Sequence, residues 1–291
     1  MLATMATLAV AAFTWVSITQ VREEQDISRQ GQITDRFNAA VDNLGNASLD
    51  VRLGGIYALQ RIMQDSARDQ PTVITVLSAY IRTHALRSAD LNTAPNTPPN
   101  DVAAALTVLG TRDVSRDGSA LVDLRGAYLD NADLTNVNLT NANLDGVRLG
   151  HADLTAANLT NANLTAANLT AANLTNANLT NASLEGANLT GEALLGEANL
   201  RGAFLEHANL TGASLAGADL ETAILVNTNL TDAALEGANL RYAELEDANL
   251  TAANLTNANL TNANLEGANL TRAHPEGANL EGANLTGAKR G

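Results

Sequence analysis

Residues 152–166 read ADLTA-ANLTN-ANLTA, and this five-residue pattern continues from about Leu124 to Leu285. A leucine recurs at every fifth position, and a small residue, usually alanine, stands two positions before it. An internal repeat of this extent predicts a solenoid of stacked coils rather than a globular fold. The repeat therefore determines the architecture of more than half of the chain.

The period of five distinguishes this repeat from a continuous helix or strand, which repeat every 3.6 and every two residues. A coil that turns a corner every five residues fits the pattern. Within each unit, the leucine and the residue two before it have the same parity, so both can point inward from an extended backbone. The other three positions, mostly Asn, Thr, Gly, Asp and Glu, are expected to face water.

The leucines change phase once along the repeat. They keep one phase from Leu124 to Leu189 and resume one residue later at Leu195. The extra residue lies near Gly191 and Glu192. We interpret it as a bulge that leaves the stack continuous, because the same pattern resumes at once.

The units resemble the A-(D/N)-L-x-x consensus of the pentapeptide-repeat proteins. The resemblance implies an all-β solenoid over residues 121–291, a right-handed, four-sided parallel β-helix with four pentapeptides per coil. Roughly 33 units would then form about eight coils, a rod about 40 Å long at about 4.8 Å per coil. The resemblance implies no particular activity, since most members have none assigned.

The charge of the chain argues against two classes of partner. Lys and Arg number 17 against 31 Asp and Glu, which gives a formal net charge of −14. Charge-driven binding to nucleic acid or to anionic lipid is therefore not expected. The absence of cysteine excludes disulfides, thiolate metal sites and a lipid anchor on cysteine.

The N-terminal segment Leu2–Val21 is apolar, with scattered Thr and Ser and no charged residue. A helix of this length spans about 30 Å, one bilayer core, so the sequence predicts a transmembrane helix over residues 1–22. A cleaved signal peptide and a buried helix of a soluble domain remain alternatives. The arginines at 22, 29 and 36 favour a cytoplasmic repeat domain. We therefore expect a single-pass protein of the bacterial cell membrane.

Residues 23–90 are predicted to form an α-helical module. Its first helix has the apolar stripe Ile33, Phe37, Val41 and Leu44, and Gly45 ends it. Two further helices are predicted to begin near Ser48 and at Pro71, because these residues are favoured at a helix start.

The pair Gly54 and Gly55 lies inside the second predicted helix and costs about 2 kcal/mol relative to two alanines. We interpret it as close helix packing, with a functional contact as the alternative. The surrounding sequence resembles a helical module of actinobacterial membrane-anchored pentapeptide-repeat proteins. The resemblance lies in QGQITDRF at 30–37 and DVRLGGIYAL at 50–59. In such relatives a spanning helix precedes the module.

Residues 91–120 are predicted to contain a linker and a capping helix. Asn92–Asn100 is rich in Pro, Asn and Thr, as linkers are. Asp101 is then predicted to cap a short helix that stops at Gly110. We expect it to cover the first coil, whose edge would otherwise offer unpaired backbone groups to other chains.

At the far end of the repeat, Pro275 replaces the central leucine of its unit. Proline cannot donate a ladder hydrogen bond and belongs at an edge. Because Leu255 lies one coil earlier on the same side, Pro275 is placed in the last coil. This coil is expected to fray or to contact a second copy of the chain in a homodimer.

The sequence offers no catalytic constellation. The four histidines, His84, His151, His207 and His274, are far apart and do not repeat at one-coil spacing, so no metal cluster is predicted. A P-loop, a Rossmann glycine pattern and a nucleophile elbow are absent. We therefore predict that the protein is not an enzyme, with no catalytic, cofactor-binding or metal-binding residue and no cofactor.

The predicted function is a membrane-anchored, non-enzymatic scaffold that presents the β-helix to an unknown protein partner. The alternative is an acidic rod that mimics DNA and protects DNA gyrase, as some pentapeptide-repeat proteins do. At one-coil spacing Arg201, Glu221 and Arg241 alternate in sign, and residues 155–183 have no charge. A DNA duplex carries one charge about every 1.7 Å, so this mixed pattern favours the scaffold.

A second column of charges runs along the other side of the repeat. Glu246 and Glu266 adjoin at one-coil spacing, and Glu206 lies further back behind Val226. We interpret the acidity of these columns as a solvated surface, and we expect no direct binding to nucleic acid.

Overall fold

The computed structural model describes residues 2–85 and 97–290, without the side chains of residues 2–14 and 16–18. The chain divides into two compact units, Met1–Ser66 and Ala67–Gly291. The first unit contains helices α1 (Leu2–Leu44) and α2 (Leu49–Asp65). The second contains the repeat region and the following elements: α3 (Gln70–His84), α4 (Asn100–Gly110), a 3₁₀ turn (Val114–Arg116), and strands β1 (Asn269–Leu270) and β2 (Lys289–Arg290).

Helix α1 is continuous from Leu2 to Leu44 and crosses residue 22, where the sequence predicted the end of a transmembrane helix. Residues 22–44 contain no proline, so no proline interrupts the helix at or after residue 22. Among the described residues, no helix is long and apolar enough to cross a membrane. The transmembrane helix predicted over residues 1–22 is therefore not supported; most of its side chains lie outside the described part of the chain.

The packing of α1 on α2 explains the glycine pair. A Cβ added at Gly55 would lie 2.7 Å from the carbonyl oxygen of Ala40 and 3.0 Å from the Cβ of Asn43. At Gly54 an added Cβ would meet nothing within 4 Å. Close helix packing is therefore confirmed for Gly55, whereas Gly54 has no such role.

The buried stripe of α1 differs from the predicted one at two positions, because Phe37 is only half-buried and Val41 is exposed. Ile33 and Leu44 are buried as predicted, with exposed fractions of 8% and 6%. Val41 is 36% exposed, and its neighbour Ala40 is 1% exposed instead. The carbonyl oxygen of Ala40 is also the atom nearest to a Cβ added at Gly55, so α1 and α2 approach closely at this residue.

The predicted starts of the next helices agree with the structure. Ser48 is the N-cap residue of α2, and Pro71 lies in the first turn of α3. Of the predicted linker Asn92–Asn100, residues 92–96 lie outside the described residues, and α4 begins at Asn100. The prediction that Asp101 caps this helix is wrong, because Pro99 is the N-cap residue and Asp101 lies in the first turn.

Helix α4 confirms the predicted capping helix. The carbonyl oxygen of Gly110 accepts the N–H of Asn138 in the first coil at 3.0 Å. A Cβ added at Gly110 would lie 2.1 Å from Val137 Cγ2, so glycine permits this approach. Arg112, 8% exposed, donates to the carbonyl oxygen of Asn138 at 2.7 Å and pairs with Asp117 at 2.9 Å.

Helix α3 also caps the first coil, which the sequence did not predict. The Ser78 hydroxyl accepts the N–H of Asp123 at 3.2 Å, and the carbonyl oxygen of Ala85 accepts the N–H of Tyr128 at 2.9 Å. Arg82 pairs with the Asp123 carboxylate at 2.9 Å. Two helices thus supply the hydrogen-bond acceptors that a preceding coil would otherwise provide.

Parallel bridges join each unit of the repeat to the units one coil away. Asn158 pairs with Asn138 on one side and with Asn178 on the other, at a spacing of 20 residues. Four five-residue units therefore complete a coil, which confirms the four-sided β-helix. The interior is filled by leucine and alanine, as in the unit where Ala162 is 1% and Leu164 0% exposed.

The phase change lengthens one corner of the β-helix. The pairing of Asn168 with Asn188 spans 20 residues, and the next, of Asn173 with Leu194, spans 21. The corner between Asn188 and Leu194 has three residues, Thr190–Glu192, whereas the other corners have two. The predicted position of the extra residue is confirmed, and the flat faces on either side continue unbroken.

The backbone donors explain the composition of a unit. In the unit 157–161, Asn158 donates its N–H to the previous coil, and Leu159 and Asn161 donate theirs to the next, at 2.7 to 2.9 Å. The alanine N–H closes the preceding corner at 2.9 Å. The N–H of Thr160 donates to the side-chain oxygen of Asn158 at 3.1 Å. Asparagine therefore stands before the leucine because its side chain replaces a missing backbone acceptor.

Each two-residue corner, such as that after Leu159, is a β-turn whose third residue is left-handed. The carbonyl oxygen of Leu159 accepts the N–H of Ala162 at 2.9 Å, and Asn161 between them has a φ of 56°. A positive φ at this position is the signature of a type II turn and favours Gly or Asn. The fifth position of the repeat is therefore restricted by backbone conformation.

Candidate functional site

The outer surface of the β-helix consists of four faces. We label them A to D in chain order, starting from the units centred on Leu124, Leu129, Leu134 and Leu139. On every face, the residue before each leucine points away from the core, because side chains alternate along an extended backbone. These outward residues form a column down the face at a spacing of one coil.

Face B is an asparagine ladder. Its column contains Asn229, Asn249 and Asn269 in successive coils. The amide nitrogen of Asn249 donates to the Thr231 hydroxyl of the coil before it at 2.9 Å, and Asn269 donates to Thr251 in the same way at 2.9 Å. The polar side chains of this face are thus bonded to one another.

Face D carries charges of both signs. The Arg201 guanidinium pairs with Glu221 and with Asp219, the latter at 3.3 Å. Hydrogen bonds to Glu221 and Asp219 raise the pKa of Arg201 above its usual range. Arg241 lies 5.3 Å from the ring centroid of Tyr242 at the corner that leads into face A. These contacts confirm that opposite charges neighbour one another in this column.

Face A differs from the ladder faces because two large apolar residues stand in its outward column. Phe204 pairs with Ile224 in the next coil, at positions where Asn is usual. Phe204 is 42% exposed, and Ile224 is half-buried. Val226 in the following position and Tyr242 at the adjacent corner, 46% exposed, extend the apolar surface. We call these four residues the face A patch.

The charged residues of face A are all acidic beyond the neutral section of the repeat. From 183 to 286, the positions that flank each leucine on this face hold no Lys or Arg. They hold five glutamates: Glu185, Glu206, Glu244, Glu246 and Glu266. Among the residues that the structure describes, none of the five forms an ion pair. The face A patch is therefore bordered by unneutralised negative charge.

The four histidines lie apart in the structure. His84 stacks on Tyr80 with ring centroids 4.0 Å apart, and the Nδ1 of His274 lies 3.8 Å from Glu276. His151 and His207 occupy left-handed corner positions. Within the described ranges, no group of three His, Cys, Asp or Glu side chains is placed to hold a metal ion.

The cavities of the described part of the second unit include the following two. One, of about 390 Å³, lies inside the last coils and is lined mainly by leucines, with Pro275, Arg272 and Arg290 beside them. The other, of about 240 Å³, lies on face B between Asp130, Arg148 and His151. Arg148 is held there by Asp130 at 3.1 Å, so these polar groups have a structural partner.

Comparison with known families identifies the repeat. The family described as pentapeptide repeats matches residues 121–155, 152–191, 192–227, 228–267 and 258–289, in eight copies. The chain belongs to the pentapeptide-repeat family. Members of this family are generally non-enzymatic. No protein of curated function matches this pentapeptide-repeat chain.

The solved structures that are similar to the chain include those of two proteins. One is HetL, involved in heterocyst differentiation regulation, from the cyanobacterium Nostoc sp. strain PCC 7120, at 37% identity over 58% of this chain and 81% of that chain, with a TM-score of 0.47. Another is QnrB1, a plasmid-mediated fluoroquinolone resistance protein, at 18% identity over 58% and 79%, with a TM-score of 0.41. These similarities carry no functional argument.

The sequence indicated the acidic positions Glu206, Glu246 and Glu266 but not the face A patch. Phe204 and Ile224 are 20 residues apart and both depart from Asn before a leucine. Both lie beyond the long corner, so the one-coil spacing alone places them side by side. The signal that could have revealed the patch is an apolar residue in place of Asn at two positions one coil apart.

Proposed function

We propose that this pentapeptide-repeat protein is a non-enzymatic scaffold whose β-helix binds a protein partner. The observation that carries the proposal is the hydrogen-bonded repeat itself. The backbone donors of a unit such as 157–161 are bonded within the array, and side chains such as Asn249 are bonded between coils. The outward residues are therefore held at fixed spacings over several coils, as a binding surface requires.

In-cell photocrosslinking from each face of one region of the β-helix tests the scaffold. A photoreactive amino acid is placed at Leu194, Asn199, Phe204 or Asn209, the outward positions of faces C, D, A and B. We expect one face to give a saturable adduct with a protein while the other faces serve as controls. Absence of a saturable adduct from all four positions would contradict the scaffold.

Attachment to the bacterial membrane through residues 1–22, with the repeat on the cytoplasmic side, stays a prediction from the sequence. Cell fractionation followed by protease treatment of intact cells and spheroplasts tests it with a C-terminally tagged chain. A membrane-bound tag that resists protease supports the prediction. A tag recovered free of membranes would contradict it.

The DNA-mimic alternative likewise stays a prediction from the sequence. Purified protein added to a gyrase supercoiling assay in the presence of a quinolone tests it. Protection of gyrase supports the alternative, and unchanged inhibition argues against it.

A further inference from the structure

The face A patch has no role in the core of the β-helix. The adjoining leucines, Leu205 and Leu225, are 0% exposed and fill the interior at their own positions. Phe204 and Ile224 point to the opposite side of the backbone, away from them. The apolar surface of Phe204 and Ile224 is therefore not needed to fill the solenoid.

The patch also removes a hydrogen bond that the repeat normally provides. On face B, the side chain of Asn209 accepts the N–H of Thr211 at 3.2 Å. Phe204 and Ile224 stand at the equivalent positions on face A, and their side chains cannot accept the N–H of Glu206 or of Val226. The two residues thus replace a stabilising side chain by an exposed apolar one. Such a replacement is typical of a binding surface.

The charge around the patch determines which class of partner fits. The five glutamates of face A would repel nucleic acid, anionic lipid and a second copy of the same face. Lys and Arg side chains would complement them, while apolar side chains would cover Phe204 and Ile224. The two arginines at the border between faces D and A already have partners, because Arg201 pairs with Glu221 and Asp219 and Arg241 lies over the Tyr242 ring.

We infer that face A, from Glu185 to Glu266, binds a segment of a protein partner that carries both apolar and basic side chains. This inference rests on the proposed scaffold function and assigns its surface and the chemistry of its partner. Glu206 and Glu266 are three coils apart, about 14 Å. A helical segment of about ten residues covers this distance, with its apolar side on Phe204 and Ile224.

The test uses the adduct formed from a photoreactive residue at Phe204 in the full-length chain. Mass spectrometry identifies the crosslinked segment of the partner, and this segment is synthesised as a fluorescent peptide. Its Kd is measured by fluorescence anisotropy against the wild type, the double variant Phe204→Asn with Ile224→Asn, and the control Leu194→Asn. Leu194 is 44% exposed on face C and therefore matches the loss of an exposed apolar residue.

We expect the segment to be basic and apolar, and its Kd to rise at least tenfold in the double variant but not in the control. The affinity should also fall with added salt. The double variant should melt at or above the wild-type temperature, since each new Asn restores an acceptor for the following N–H. A weakened interaction would then not reflect unfolding.

The inference would be overturned by a crosslinked segment that is acidic or lacks apolar residues, by a segment from a second copy of this chain, or by an unchanged Kd in the double variant. Adducts from another face in the absence of adducts from Phe204 would also overturn it, while the scaffold proposal would stand. Absence of adducts from every face would overturn both.

Discussion

Thr222 occupies a corner position with a φ of 60°, where Gly and Asn are common. A β-branched residue is strained there, because the left-handed conformation costs an ordinary residue about 1–2 kcal/mol. Replacement by glycine would relieve this strain, but the greater conformational freedom of glycine in the unfolded chain offsets part of the gain in stability. Thr222→Gly should therefore raise the free energy of unfolding by about 1 kcal/mol in urea denaturation.

Asn227 supplies the matched control for this prediction. It occupies the same position in the next unit, with a φ of 57°. Asparagine tolerates the left-handed conformation better than threonine does. Asn227→Gly should give a smaller gain in stability, and an equal gain for both variants would show that strain at Thr222 is not the cause.

Asp123 links the stability of the capped first coil to pH. Burial raises the pKa of its carboxyl, but hydrogen bonds from Arg125 and the charges of Arg82 and Arg125 outweigh this effect and lower the pKa below 3.8. The resulting stabilisation is present above the unfolded pKa and is lost as the pH falls through the lower folded value. Asp123→Asn should therefore reduce the loss of stability between pH 5 and about pH 2.

Urea denaturation at several pH values measures this effect. Arg125→Gln should reproduce part of the change, because it removes the hydrogen bonds that favour the carboxylate. If the acid-induced loss in Asp123→Asn were as large as in the wild type, Asp123 would not be linked to acid stability.

At the scale of the helices, Gly54 and Gly55 provide a matched pair. Alanine is favoured over glycine in a helix by about 1 kcal/mol, so Gly54→Ala should stabilise the protein by about that amount. Gly55→Ala should instead destabilise it by about 1–2 kcal/mol, since its Cβ would clash with the Ala40 carbonyl. Thermal unfolding of both variants tests the opposite signs. Equal effects would show that the contact with α1 does not constrain Gly55.

Elements whose role is local could be predicted from the sequence, whereas those defined by distant pairing could not. The leucine period required a coil with an inward side, and the Gly54–Gly55 pair required a close contact. The cap formed by α3 depends on bonds such as Ser78 to Asp123, 45 residues apart. No local pattern encodes that pairing. The face A patch, in contrast, follows from the 20-residue spacing that the sequence indicates, because Phe204 and Ile224 both replace Asn one coil apart.

The half-buried polar positions are a further example. The sequence indicated that Asn and Thr face water, and the structure places Asn158 and Thr160 partly buried with their side chains bonded at 2.7 Å. Polarity alone predicts an outward direction. It does not reveal that the asparagine oxygen serves a backbone donor.

At the scale of the whole β-helix, the coil of residues 270–290 leaves part of the apolar interior open. Leu280 is 38% exposed there, against 1% for Leu260 one coil earlier. The predicted homodimer through this coil would cover Leu280, since burying apolar surface contributes about 25 cal/mol per Å². Leu280→Asp should therefore reduce self-association in light scattering over a range of protein concentrations.

Leu194→Asp is the control for this prediction, because it removes a similarly exposed leucine far from the last coil. Melting curves of both variants distinguish a lost contact from local unfolding. A wild-type chain that stays monomeric at the highest concentration would contradict the homodimer.

The spacing of 20 residues per coil has a consequence for how such an array can change in length. A duplication of four units leaves every downstream side chain on its original face. A duplication of one unit within the uncharged section 155–183 instead rotates everything beyond it by a quarter turn relative to the cap. The core is unaffected in both cases. Insertions in this section can therefore redirect the acidic, apolar side of the rod without altering its fold.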